Sequence, residues 1–159
     1  MASTLFTPCK FYLAAPVITS EKIKQEVGNV WQALADTFTV HNVYRPGFHK
    51  VPNEWGITME MWGQCVFTMD VLAIDESDWV VLCNYGRTGG TAGTAWECGY
   101  AFAKQKRILV INMPGVNESS LMVRGCASNV VDYRDFVESS DVSKFFIERG
   151  KLARTETLS

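Results

Sequence analysis

The sequence predicts a three-layer α/β fold around a five-stranded, mainly parallel sheet, and three observations predict it. Segments with strand character alternate with segments of helical periodicity along the chain. Two of the strand segments, DWVVLCNY (78–85) and RILVIN (107–112), are continuous apolar runs, the pattern of strands covered on both faces. The chain has 159 residues, 47% hydrophobic and 20% charged, enough apolar material for one core, and it shows no linker, repeat or low-complexity segment. Residues 1–159 are therefore expected to form a single domain.

Taken in order, KFYLAAPV (10–17) is a short apolar β-type run closed by Pro16. SEKIKQEVGNVWQALADTF (20–38) carries Ile23, Val27, Val30 and Leu34 at helical spacing, with Ser20 placed to cap it. TVHNVY (39–44) reads as a second strand. Pro46, Gly47, Pro52 and Gly56 mark a long irregular connection before a helix from about 58 to 76. The two apolar runs are the central strands, and between them lie a loop of small residues and another helix. NVVDY (129–133) gives the last strand, and DVSKFFIERG (141–150) a closing helix stopped by Gly150. A flavodoxin- or Rossmann-like sheet of this kind binds ligands at the carboxyl ends of its strands, near the point where strand order reverses. The loops that start near Ala14 and Asn84 are where chemistry is expected.

Charge excludes some partners. Fifteen basic and seventeen acidic residues are scattered without blocks for a formal net charge of -2, so neither nucleic acid nor an anionic membrane finds a footprint. No secretory leader and no apolar run of spanning length is visible, so a soluble cytoplasmic protein is expected. Cys9, Cys65, Cys83, Cys98 and Cys126 are widely spaced, include no C-x-x-C, and have only His41 and His49 as imidazole companions. They read as reduced, mostly buried thiols; neither a metal nor a cofactor is expected.

One residue resists placement. Glu97 follows the small-residue loop NYGRTGGTAGTAW and is surrounded by Ala95, Trp96, Cys98, Gly99 and Tyr100. The loop lacks both G-x-x-x-x-G-K-[ST] and a proper G-x-G-x-x-G, which argues against a phosphate cradle. TAWE fits a capping box, with Thr94 and Glu97 closing the first turn of a helix. The alternative is a functional carboxylate, and Asp70 supports it: it sits among Phe67, Met69, Val71 and Leu72, whereas Asp75, Glu76 and Asp78 crowd a helix end as solvated charges do. Trp31, Trp62, Trp79 and Trp96 read as packing, Trp55 as a candidate base-stacking ring, and His41 and His49 as surface or supporting residues.

Taken together, FYLAAP, FTMDVLAIDESDWVVL, GTAWECGYAFAKQKRILVI and SLMVRGCASNVVDYRDF resemble the nucleoside 2-deoxyribosyltransferases, over a span from about Lys10 to Phe136. The resemblance implies that Glu97 is the nucleophile in the first turn of its helix, that Tyr12 orients it, and that Asp70 is the second carboxylate. It implies Ala15, Gly93, Met122 and Asn129 as substrate contacts, with Asn129 reaching a sugar in a neighbouring subunit of a homo-oligomer with shared active sites. The implied substrates are a deoxynucleoside and a free nucleobase.

The residue types suit that chemistry. Cleaving an N-glycosidic bond develops positive charge on the sugar, which a carboxylate can stabilise and then trap covalently, while a second carboxyl protonates the departing base. A helix N-terminus and a Tyr hydroxyl would favour the ionised Glu97 over its desolvation. The sequence departs from the family at Thr91, six residues before Glu97, where an Asp that contacts the base is usual. Related nucleotide N-glycosidases, which hydrolyse 5'-monophosphates, tolerate a hydroxyl residue there, and Arg124 would suit a phosphate. The G-G-x-G-T-x-x-E loop of phosphoribohydrolases is matched only with one residue inserted. A non-enzymatic nucleotide-binding module would need neither Glu97 nor Asp70.

Overall fold

The sheet is organised around β1 (Phe11–Ala14), whose four side chains are all buried. The computed structural model describes residues 9–16, 20–87, 91–116 and 119–147. The remaining strands are β2 (Val43–Tyr44), β3 (Trp79–Asn84), β4 (Arg107–Asn112) and β5 (Asn129–Asp132). All run parallel, in the order β2-β1-β3-β4-β5. The chain goes from β1 out to one side and returns to β3 on the other, so the strand order reverses between β1 and β3, the point at whose carboxyl ends sheets of this kind bind ligands.

Strand alternation divides the interior into two layers. Phe11, Leu13, Trp79, Val81, Leu109 and Ile111 face α1 (Glu21–Phe38) and α5 (Tyr133–Val137), where Val27, Val30, Leu34 and Phe136 meet them. Tyr12, Ala14, Val80, Leu82, Ile108 and Val110 face α2 (Met59–Glu76), α3 (Ala92–Ala103) and α4 (Leu121–Cys126) through Ile74, Cys98, Ala101 and Val123. Ser20 caps α1 by accepting from the Ile23 amide, and Thr58 caps α2 by accepting from Met61. Among the described residues no helix is long and apolar enough to cross a membrane.

The structure departs from the sequence reading at several points. Only Val43 and Tyr44 of the 39–44 segment form a strand; Val40–Asn42 is a 3-10 turn, because the Asn42 amide donates back to the Phe38 carbonyl and the Thr39 hydroxyl. The closing helix is replaced by a 3-10 turn, Val142–Phe145, after which Phe146 turns inward against Phe11, Phe38 and Trp79; residues 148–150 lie outside the described residues. The short helices α4 and α5 were not foreseen. Trp79 is buried and Trp31 partly so, but Trp62 and Trp96 are exposed, as are Met59, Met61, Phe67, Leu72, Phe102, Leu121 and Met122 on the outer side of α2, α3 and α4. Of the thiols, Cys83, Cys98 and Cys126 are buried and Cys65 is exposed.

Phe11 carries the aromatic cluster under α1, stacked on Phe38 at 4.3 Å between centroids and meeting Phe146 edge-on at 4.9 Å. Phe11→Ala is expected to cost about 3–5 kcal/mol, the range for deleting a fully buried ring. Denaturant unfolding checks this. A loss below about 1 kcal/mol would mean that the cluster closes over the gap.

Candidate active site

Tyr12 stands in the middle of β1 and, by alternation, on the α2–α4 side of the sheet. Its hydroxyl donates to Glu97 Oε1 at 2.9 Å. Glu97 reaches this position from α3, which lays Thr94, Cys98 and Ala101 against the sheet at helical spacing and so turns Glu97 to the same side. The second carboxylate oxygen, Oε2, is buried and has no hydrogen-bond partner among the described residues, as is the case for the Thr94 hydroxyl oxygen one turn earlier.

These contacts replace the expected capping box. The helix begins at Ala92, so Thr94 lies inside it and Glu97 falls in its second turn, one turn beyond the expected position. The Glu97 carboxylate turns to β1 and not to the amides at the start of its own helix. A cap serves the helix; this geometry serves the carboxyl end of the sheet.

Asp70 comes from the middle of α2 and is half-buried. Tyr44, on β2, donates to its Oδ1 at 3.0 Å. Strand register sets Tyr44 beside Tyr12, and their rings stack at 5.5 Å with 14° between planes. His49 continues the stack on the far side of Tyr44, at 4.4 Å and 4°. A cavity of about 230 Å³ opens here, lined by Asp70, Met69, Val66, Tyr44, His49 and Lys50. A larger one of about 460 Å³ also touches Tyr44 and His49 but runs along the outer edge of β2, past Phe11, Val43 and Arg45.

Burial dominates the electrostatics. Desolvation pushes the Glu97 carboxyl up to about 7, the Tyr12 hydroxyl pulls it back, and the Asp70 charge raises it further. The expectation that the ionised form would win is thus corrected: a single hydroxyl donor in the second turn of a helix does not offset the loss of water. Asp70 is also raised, by desolvation first, with the Tyr44 hydrogen bond and the nearby His49 lowering it. Burial and the adjacent carboxylates drive both phenols upward, so Tyr12 and Tyr44 remain neutral donors.

Four predicted residues, Tyr12, Glu97, Asp70 and Ala15, gather at one end of the sheet; Ala15 directly follows β1. Gly93 lies on the first turn of α3 with open space around it. Thr91 stands at the entrance to α3, its carbonyl accepting from the Ala95 amide. Met122 points outward from α4 and is 81% exposed. Asn129 is not brought to this group: it begins β5, where its side chain donates to the Phe145 carbonyl at 2.9 Å and accepts from the Val130 amide. Arg124 is exposed on α4. Trp55, 96% exposed, lines with Met59 and Trp62 a separate cavity of about 380 Å³. Asp75 and Asp78 are not simply solvated, because Asp75 accepts from Tyr100 and Asp78 from the Lys10 amide. Tyr44 was missed by sequence reasoning, and His49, read as a surface or supporting residue, lies near Asp70.

A buried carboxyl held near 7 leaves a trace in stability. The folded value lies above the ordinary 4.5, so the contribution of Glu97 to stability is complete below about 4.5 and is lost as pH rises through about 7. Glu97→Gln should therefore unfold at higher denaturant than the native chain at pH 8, by roughly 2–3 kcal/mol, with most of that difference gone at pH 5. Equal stability of the two proteins at pH 8 would show that Glu97 ionises without penalty.

A family model for nucleoside 2-deoxyribosyltransferase matches residues 11–128, which include Tyr12, Tyr44, Asp70 and Glu97. No curated protein matches the chain in sequence. Among solved structures, the 2-deoxyribosyltransferase from the psychrotolerant bacterium Bacillus psychrosaccharolyticus is similar with TM-score 0.67 and 26% identity, over 88% of this chain and 98% of that one. A conserved protein from Enterococcus faecalis V583 (TM-score 0.57, 18% identity, 86% and 98% covered) shares the fold. So does the CMP N-glycosidase BcmB from Clostridium botulinum (0.52, 20%, 81% and 95%). With the family match running from β1 past α4 and the fold agreeing, the chain belongs to the nucleoside 2-deoxyribosyltransferase family.

Proposed function

We propose that this protein transfers 2-deoxyribose from one nucleobase to another through a covalent ester on Glu97, in cytoplasmic nucleoside salvage. The observation that carries the reading is the divided carboxylate: Tyr12 holds Oε1, while Oε2 is buried and has no partner among the described residues. A carboxylate held by one oxygen presents the other to a reacting carbon in a fixed direction.

In the first half-reaction a Glu97 oxygen bonds to the anomeric carbon. The carbon–nitrogen bond breaks with its electron pair going to the base, and the Asp70 carboxyl supplies the proton the base needs. In the second half a free nucleobase attacks the anomeric carbon, the ester bond returns its electrons to Glu97, and the proton of the incoming base returns to Asp70. Two inversions retain configuration. Glu97, held near 7, must be ionised to attack while the Asp70 carboxyl must carry its proton, so turnover should follow a bell-shaped pH profile whose limbs the two carboxyl groups set.

The resemblance, together with the exposed apolar row on α2, α3 and α4, supports a homo-oligomer in which Met122 and Asn129 reach a neighbouring site. Asn129 would have to exchange the Phe145 carbonyl for a sugar hydroxyl.

The deciding experiment incubates the protein with a deoxynucleoside, with and without a second free base. A new deoxynucleoside marks transfer. Free deoxyribose marks hydrolysis, and turnover only with a 5'-phosphate marks a nucleotide N-glycosidase, the reading that Thr91 favours. Glu97→Ala should lower transfer by several powers of ten in a folded protein, since loss of a nucleophile removes several kcal/mol of barrier lowering. Near-normal turnover in that variant ends the glycosyl-enzyme reading. Mixing Glu97→Ala with Met122→Asp protein should restore activity if subunits share sites; a fully active monomer by sedimentation defeats that arrangement.

A further inference from the structure

Two hydroxyl–carboxylate pairs stand side by side in this fold, and only one has been given a role. Tyr12 and Tyr44 are register partners on adjacent parallel strands, project to the same face and stack with their rings nearly parallel. Each spends its hydroxyl on a different carboxylate, Tyr12 on Glu97 and Tyr44 on Asp70, at 2.9 and 3.0 Å. Packing alone does not require this. β2 is two residues long, at the sheet edge, and Tyr44 is its last residue. An apolar ring there would cover Tyr12 equally well, and the hydroxyl would be unnecessary.

We propose that Tyr44 is a positioning residue for the carboxyl group that protonates the departing base, and that the stacked Tyr12–Tyr44 pair is a rigid spacer fixing Asp70 relative to Glu97. The proposal deepens the transferase reading and rests on Asp70 as the proton donor. Asp70 sits on α2 above a cavity, with two rotatable bonds and, from its own helix, the apolar neighbours Trp62, Val66 and Met69 lining that cavity. The Tyr44 hydroxyl is what defines its direction. Tyr44 in turn cannot swing, because Tyr12 lies on one face of its ring and His49 on the other. The rise between neighbouring strands, a fixed quantity of about 4.8 Å, then sets the spacing of the two hydroxyls and through them of the two carboxyl groups.

The groups facing Asp70 also fix the sign of a pH effect. They are Tyr44 from β2, His49, Lys50 and Glu54 from the following connection, Tyr12 from β1 and Glu97 from α3. Donation from Tyr44 favours the charged form of Asp70. Removing it lets the carboxyl keep its proton to higher pH.

The test is Tyr44→Phe in the full chain, which keeps the ring stack, compared with Asp70→Asn and the double variant. Substrates are 2'-deoxynucleosides whose free bases span a range of N–H acidity. Tyr44→Phe is expected to lower kcat about 10–100-fold for the least acidic bases, within the range of general acid catalysis, and little for the most acidic. KM and melting temperature should hardly change, and the limb of the pH profile that Asp70 sets should move to higher pH. The double variant should be no slower than Asp70→Asn alone, because both act through one group. If Asp70→Asn responds steeply to base acidity and Tyr44→Phe does not, the positioning role is wrong. A flat response in Asp70→Asn removes the proton-donor reading and the proposal with it. A uniform loss in Tyr44→Phe that tracks a lower melting temperature makes Tyr44 a packing residue only.

Discussion

A carboxylate taken out of water in the company of one hydroxyl sets the terms for the rest of this structure. Glu97 can be held this way only if α3 lies close on the sheet, and the small inward residues Thr94, Cys98 and Ala101 allow that approach. It also needs a polar tip inside the most buried strand, which Tyr12 supplies while its ring fills the space of an apolar residue. The outcome is a group poised between its two charge states near neutral pH, the condition in which a carboxylate can serve as base, acid or nucleophile.

The second carboxylate is treated differently. Asp70 is less enclosed, opens onto a cavity, and has an imidazole and a phenol nearby. Two acids at one end of a sheet, one more deeply set and one at a doorway, are thereby kept chemically unlike, which is how paired carboxyl groups divide labour. The device that separates them is strand pairing itself: neighbouring positions on β1 and β2 carry the two phenols, so the order of the sheet is also the order of the site.

Much of this was legible in the sequence because it rests on local pattern. The periodicity of α1, the continuous apolar runs of β3 and β4, and an acid among apolar residues at Asp70 are all visible within a short window. What was not legible depends on register and on competition between partners. Tyr44 gains its meaning from pairing with Tyr12, thirty-two positions away, and His49 from stacking on Tyr44. TAWE satisfies the rule for a capping box, yet the helix starts earlier than that rule requires and the Tyr12 hydroxyl claims the carboxylate. The closing helix failed because Phe146 is drawn into the Phe11 cluster, a tertiary demand that no local propensity reports.

The sheet order bears on how the chain comes to be folded. β1 is made first but is flanked in the finished sheet by β2 and β3, and the contact between Tyr12 and Glu97 joins residues 85 positions apart, whereas that between Tyr44 and Asp70 joins residues only 26 apart. The entropy of ring closure grows with the logarithm of the span, so the shorter loop is the cheaper to close. The Tyr44–Asp70 half can be assembled from the chain up to α2, while Tyr12 must wait for α3 with a phenol that has no protein acceptor. In a nascent chain ending before Glu97, which also lacks β4 and β5, the Tyr12 hydroxyl has only water to donate to, and burying it awaits the arrival of α3 with its acid.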